Sequence, residues 1–118
     1  MPGTSPQLNT VVENDIMVTE LISQKILDEV IIAEIGDQLN SMATGSQSPR
    51  MVLDFSAVSH MSSSALGMLI TLHKRLRERD GELRLCCVQP SIYEVFVITR
   101  LNEIFQICKS RQEAIDSL

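Results

Sequence analysis

Short apolar segments alternate with longer amphipathic segments along most of the chain. Residues 51–55 form a nearly continuous apolar run, which is typical of a strand buried on both faces. A helical pattern follows over residues 63–79, and another alternating strand follows over 83–87. Because parallel strands need a crossover between them, this order predicts an α/β layer fold. We expect one domain with a mixed, mostly parallel sheet of four to five strands and about four helices.

The flanking segments complete this pattern. Residues 1–9 are mostly Pro, Gly, Ser, Thr and Gln, so we predict a flexible tail there and a domain over residues 10–118. Within that domain we predict a short edge strand at Val11–Val12, a strand over 16–22, a helix over 28–42 and a helix opened by Pro90. We also predict a short strand over 104–107 and a last helix that is opened by the capping-box pair Ser110 and Glu113 and runs to Leu118.

The spacing of apolar residues assigns the buried face of the first two helices. Apolar residues recur every three or four positions, which is the repeat of one helix face. In the second helix this face is Ala65, Leu69, Leu72 and Leu76. In the first helix the face runs through Leu27, Ile31, Ile35, Leu39 and Met42, so we expect Ile31, Ile35 and Leu39 to be buried and Glu34, Asp37 and Gln38 to be exposed.

Charge and composition exclude several classes of function. The formal net charge is −5 and the pI is near 4.9, which argues against a nucleic-acid surface. The start of the chain lacks the basic and apolar regions of a signal peptide, and no run approaches the roughly 20 apolar residues that span a bilayer. We therefore expect a cytoplasmic protein without membrane insertion.

The three cysteines, Cys86, Cys87 and Cys108, form neither a disulfide pattern nor a zinc motif. Their number is odd and no CxxC spacing occurs. If Cys86 and Cys87 lie in a strand, their side chains point to opposite faces. We therefore predict reduced thiols, no metal and no cofactor.

Enzyme motifs are absent from the sequence. It has no phosphate-binding glycine loop, no HExxH and no GxSxG. Ser63, His60 and Asp54 are the residue types of a hydrolase triad, but the glycines of a nucleophile elbow are missing. We therefore predict that the chain is not an enzyme.

The unusual segment is the serine run of residues 62–64, which enters a predicted helix directly after the buried strand. One serine suffices to cap the helix, which contributes about 0.5–2 kcal/mol. The other hydroxyls remain available, and a helix N-terminus also stabilises a phosphate group. Ala65 and Gly67 are small enough for another molecule to approach the backbone. Composition alone leaves capping and a phosphorylation switch both open.

Residues 52–56 (Val-Leu-Asp-Phe-Ser) and 61–69 (Met-Ser-Ser-Ser-Ala-Leu-Gly-Met-Leu) resemble the central motif of the STAS domain. This family contains the bacterial anti-sigma factor antagonists and the cytoplasmic tails of sulfate transporters. By position, Ser63 matches the serine that a partner kinase phosphorylates in the antagonists. Ser64 matches the second serine of the motif, and Ser62 stands where the family usually has Asp. The resemblance extends from about residue 16 to residue 118.

The resemblance implies a cytoplasmic bacterial signalling protein that regulates transcription without touching DNA. Its partner would be an anti-sigma factor with serine-kinase activity, which phosphorylates Ser63 and releases the complex. The implied partner-binding residues are Asp54, Ser56, Ser62, Ser63, Ser64, Ala65 and Gly67. A non-switching structural subunit of a transporter or scaffold is the alternative, and nucleotide binding at the same helix is a third. Self-association stays open.

Overall fold

A computed structural model describes residues 7–45 and 47–118. Within these ranges the chain forms seven strands, four α-helices and one short 3-10 helix. The elements are β1 (Leu8–Glu13), β2 (Ile16–Leu21), β3 (Lys25–Ile26), α1 (Glu29–Thr44), β4 (Arg50–Asp54), β5 (His60–Met61), α2 (Ser63–Glu78), β6 (Glu82–Cys86), α3 (Pro90–Ile98), the 3-10 helix Leu101–Glu103, β7 (Gln106–Cys108) and α4 (Arg111–Asp116).

Five of the strands form one mixed sheet in the order β1-β2-β4-β6-β7. β1 pairs with β2 in antiparallel orientation, and the other neighbouring pairs are parallel. This confirms the predicted fold class, with four α-helices and a mostly parallel five-stranded sheet. The two-residue strands β3 and β5 pair in parallel as a separate ribbon. The ribbon was not predicted, because two residues are too few to show a strand repeat.

The β1–β2 hairpin turns at Asn14 and Asp15, which both have positive φ, at 52° and 63°. Asn and Asp tolerate this left-handed conformation, and it suits the tight turn of a twisted hairpin. β1 begins at Leu8, whose side chain is buried. Residues 8 and 9 therefore belong to the sheet, not to the predicted tail. Residues 1–6 lie outside the described part of the chain.

The sheet separates two apolar layers. The larger core lies between the sheet and the helices α1, α2 and α3, and the smaller one lies under α4. Successive strand residues point to opposite faces, so Leu53 and Leu85 enter the larger core while Val52 and Cys86 face α4. The predicted stripe of α2, residues 65, 69, 72 and 76, is buried throughout.

The buried face of α1 is rotated from the predicted one. Ile35 and Leu39 are fully buried and Glu34 and Asp37 are exposed, as predicted. Ile31 and Gln38 are only half-buried, and Leu27 lies before the helix and is exposed. Repeated four-residue steps rotate by about 40° each around a helix of 3.6 residues per turn, so they drift off one face. The face that packs is Ile32, Ile35, Gly36, Leu39 and Ala43.

The last strand and the last helix also differ from their predicted limits. β7 begins at Gln106, two residues later than predicted, because the 3-10 helix and the buried Phe105 take up the preceding residues. α4 ends at Asp116 and not at the end of the chain. Among residues 7–45 and 47–118, no helix combines the length and apolar character that a membrane crossing requires.

Candidate functional site

The β3–β5 ribbon places the N-termini of α1 and α2 side by side. The Ser59 amide donates to the Gln24 carbonyl at 2.8 Å, and the Ser62 amide donates to the Ile26 carbonyl at 3.1 Å. Each strand of the ribbon leads into its helix within three residues. Farther along, a Cβ on Gly36 would meet Met68 Cγ at 3.0 Å, so the two helices pack closely there. The serine run thus lies on a surface built from both helix starts.

Each serine of the run has a different role. Ser62 is the N-cap of α2, and its Oγ accepts a hydrogen bond from the Ala65 amide at 3.3 Å. Ser64 donates from Oγ to Oε1 of Glu29, on α1, at 2.9 Å. Ser63, the first residue of α2, is exposed, and within the described residues its hydroxyl makes no hydrogen bond to the protein. One serine therefore caps, one links the helices, and one is available to an incoming group.

Exposed apolar side chains flank these serines. Leu27 is 48% exposed and Val30 is 67% exposed, on either side of the Glu29 that holds Ser64. Gly67 is also exposed, and a Cβ there would have no atom within 4 Å. We call Leu27, Val30, Ser63, Ser64 and Gly67 the serine face.

Asp54 ends β4 on the other side of the sheet, where its side chain is buried. Its Oδ1 accepts from the Ser56 amide at 2.8 Å, and its Oδ2 accepts from Nη2 of Arg111, on α4, at 2.7 Å. Burial alone would raise the pKa of Asp54, but the Ser56 hydrogen bond and the Arg111 guanidinium together lower it below its ordinary value. Asp54 therefore holds the start of the loop that leads to the serines.

The structure brings together only part of the predicted site. Ser63, Ser64 and Gly67 share an exposed surface, and Ser62 supports it as the cap. Ser56 is exposed, and its carbonyl accepts from Nε2 of Gln89. Asp54 and Ala65 are buried, at 5% and 0% exposure, and both support the fold of the loop and helix start. A contact of either residue with a partner stays a prediction.

The hydrolase triad does not form. His60 Nδ1 is hydrogen-bonded to Ser59 Oγ at 2.9 Å, and both carboxylate oxygens of Asp54 bond elsewhere. No base is bonded to Ser63 within the described residues. A serine nucleophile needs a hydrogen-bonded base, so the arrangement does not support this chemistry.

The cysteines are arranged differently from the prediction. All three are free thiols, but Cys87 follows the end of β6 with φ at 61°, a conformation that is uncommon for a residue with a side chain. Strand alternation no longer applies, and the Cys86 and Cys87 sulfur atoms lie within 4.8 Å of each other. The Asp54 carboxylate lies beside them. Burial, followed by the contact with Cys87, raises the pKa of the Cys86 thiol. The sequence shows that the cysteines are adjacent, but it does not show the backbone turn that brings their sulfur atoms to the same side.

The chain is similar to several known proteins. The STAS domain model matches residues 7–114. The proposed anti-sigma factor antagonist BtrV of Bordetella bronchiseptica is 38% identical over 65 residues, which are 55% of this chain and 56% of that protein. The chain spans about half the length of three of the curated relatives that it matches.

Solved structures show the same fold over nearly the whole chain. An anti-sigma factor antagonist (STAS) domain protein from Planctomyces limnophilus superposes with a TM-score of 0.85 at 25% identity, covering 93% of this chain and 96% of that one. The Bacillus cell fate determinant SpoIIAA in its phosphorylated form superposes with a TM-score of 0.69 at 21% identity, covering 93% of this chain and 97% of that one. The second likeness concerns the fold alone.

Proposed function

Because the chain belongs to the STAS domain family, we propose that it is a bacterial cytoplasmic anti-sigma factor antagonist whose binding is controlled by phosphorylation of Ser63. It binds an anti-sigma factor that has serine-kinase activity, and this frees a sigma factor for transcription. It acts as a binding protein and not as an enzyme. The relatives named above as anti-sigma factor antagonists support this role.

The observation that carries the proposal is the exposed, unbonded hydroxyl of Ser63 at the start of α2. A kinase needs a hydroxyl that it can reach and orient, and Ser62 and Ser64 are already engaged. Leu27 and Val30 supply exposed apolar area beside it, which a protein partner can bury. The serine face thus combines a modifiable group with a docking surface.

Phosphorylation at this position changes binding more than it changes the fold. A phosphoserine carries about −1.5 to −2 charges near pH 7. The free amides and the dipole at the start of α2 stabilise that charge within the protein. A partner surface that fits a neutral hydroxyl between apolar side chains would have to desolvate the phosphate. The phosphate would also lie near the Glu29 carboxylate, which carries the same sign of charge. Modified protein therefore remains folded and leaves its partner.

The substitution at Ser62 is the main departure from the family pattern. A carboxylate there would add negative charge near the Ser63 hydroxyl, whereas the serine only caps the helix. We propose that Ser63 is still the acceptor, because the capping serine is half-buried and its oxygen is already occupied. That SpoIIAA exists in a phosphorylated form supports the view that this fold tolerates such a group.

An in vitro kinase assay tests the proposal. The purified chain is incubated with ATP and a candidate kinase-type anti-sigma factor from the same genome, and the modified residue is mapped by mass spectrometry. We expect one phosphoryl group on Ser63 and none on Ser63→Ala. Stable binding to the anti-sigma factor without modification, or modification at Ser62 or Ser64, would contradict the assignment of Ser63. The absence of any binding would favour the structural-subunit alternative.

A further inference from the structure

We propose that Asp54, Cys86 and Cys87 form a binding site for a thiophilic divalent metal ion such as zinc. The site lies at the carboxyl ends of β4 and β6, on the α4 side of the sheet. It lies across the sheet from α2 and is independent of the proposed phosphorylation of Ser63. The metal would be held by two sulfur atoms and one carboxylate oxygen.

Strand pairing and one backbone turn assemble the three ligands. Asp54 and Cys86 are register partners on adjacent parallel strands, so their side chains point to the same face of the sheet. The positive φ of Cys87 then places its thiol on the same side as that of Cys86. The three ligand atoms lie within 4.8 Å of one another. Zinc bonds of about 2.3 Å to sulfur and about 2.0–2.2 Å to oxygen require only a small inward movement.

The left-handed conformation of Cys87 is a second observation in favour of a site. For a residue with a side chain it is held at a cost of order 1–3 kcal/mol, and such strain concentrates at functional positions. The effect of this conformation is to place two thiols beside a carboxylate.

Charge and access also suit a divalent ion. In the metal-bound form two thiolates and the Asp54 carboxylate carry three negative charges, and the ion together with the Arg111 guanidinium carries three positive ones. Binding releases the two thiol protons to solvent as the two metal–sulfur bonds form. Cys86 and Asp54 are buried, whereas Cys87 is half-buried and provides the entry side.

Metal titration of the reduced chain tests this site directly. Cadmium is added to the full chain in a buffer free of competing thiols, and the ultraviolet thiolate-to-cadmium charge-transfer absorption is followed. Zinc affinity is measured by competition with a chromophoric chelator. We expect the unmodified chain to bind one metal ion. We expect Cys87→Ser and Asp54→Asn to bind the metal at least about tenfold more weakly, which is the order of loss seen when metal sites are perturbed.

Cys108→Ser is the matched control, because Cys108 is buried in β7 and its sulfur is outside the three-ligand group. It should bind metal as the unmodified chain does. Circular dichroism confirms the fold of each variant. If Asp54→Asn does not fold, the metal affinity of Cys87→Ser, at a half-buried position, still tests the site. Absence of the charge-transfer band in the unmodified chain, or an equal loss in Cys108→Ser, would overturn the site. Neither result bears on docking at the serine face.

Discussion

Asp54 and Arg111 are joined by an ion pair of 2.7 Å although they are 57 residues apart. The pair ties α4 to the end of β4, where the loop toward the serine face begins. Replacing Arg111 by Met keeps the apolar stem but leaves the Asp54 carboxylate buried with only the Ser56 amide. Because the Arg111 side chain is 40% exposed, we expect a loss of about 1–3 kcal/mol in unfolding free energy, measured by urea denaturation at pH 7.

The same pair has a defined pH dependence. The pKa of Asp54 lies below its ordinary value of 3.8, so the stabilisation is present above that value and is lost as pH falls through the lowered pKa. The difference in unfolding free energy between the unmodified chain and Arg111→Met should therefore be largest at pH 7 and should shrink below about pH 4. Arg75→Met, at an exposed position on α2, should show little difference at either pH. A difference that grows toward low pH would contradict this assignment.

The capping role of Ser62 separates it from Ser63 in stability measurements. Ser62→Ala removes the oxygen that accepts from the Ala65 amide, so we expect a loss of about 0.5–2 kcal/mol. Ser63→Ala removes a hydroxyl without a bond to the described protein, and its unfolding free energy should be within about 0.5 kcal/mol of the unmodified chain. The measurement is chemical denaturation of both variants. A larger loss in Ser63→Ala than in Ser62→Ala would reverse the assignment of the cap.

Two leucines near α1 test which of its faces is buried. Leu39 is fully buried, so Leu39→Ala should lower the unfolding free energy by about 2–5 kcal/mol. Leu27 is 48% exposed and belongs to the serine face, so Leu27→Ala should change stability by less than about 1 kcal/mol. Denaturant midpoints at equal slope give both values. Similar losses in the two variants would show that the sequence-based face through Leu27 is the packed one.

The sequence predicts which strands and helices pack together more accurately than it predicts the exact helix faces and the shortest strands. Buried strands and helix faces leave a repeat in the sequence, and the stripe of α2 through Leu69 and Leu72 was found in this way. The predicted buried face of α1 differs from the observed one because a four-residue spacing does not match the helical repeat of 3.6 residues per turn. The ribbon that joins the two helix starts is too short to leave any repeat.

At the candidate site, too, the residue types were predictable from the sequence, whereas their contacts were not. The serine run was evident from residue types, and the capping rule requires only one of its members. Which serine remains free depends on Glu29, which belongs to another helix and gives no local signal. The burial of Asp54 against Arg111 and the turn at Cys87 likewise depend on contacts and backbone angles that residue spacing does not encode.

Ser62→Asp restores the residue that the family usually has at this position. Asp is a good N-cap, so stability should stay within about 1 kcal/mol of the unmodified chain. If a kinase partner acts on Ser63, the added carboxylate should raise the initial rate of phosphorylation. The rate is measured with radiolabelled ATP at fixed kinase concentration, with Ser62→Ala as the control that has neither the charge nor the cap. Equal rates in all three chains would show that position 62 has no role in the modification.

The affinity of the serine face for the anti-sigma factor tests the central claim most directly. Isothermal titration calorimetry compares the unmodified chain, Ser63→Ala and Ser63→Asp against the isolated partner. We predict nearly equal affinities for the first two and a loss of about 100-fold, or about 2.7 kcal/mol, for Ser63→Asp with an unchanged melting temperature. Equal affinities for all three chains would contradict a charge switch at Ser63.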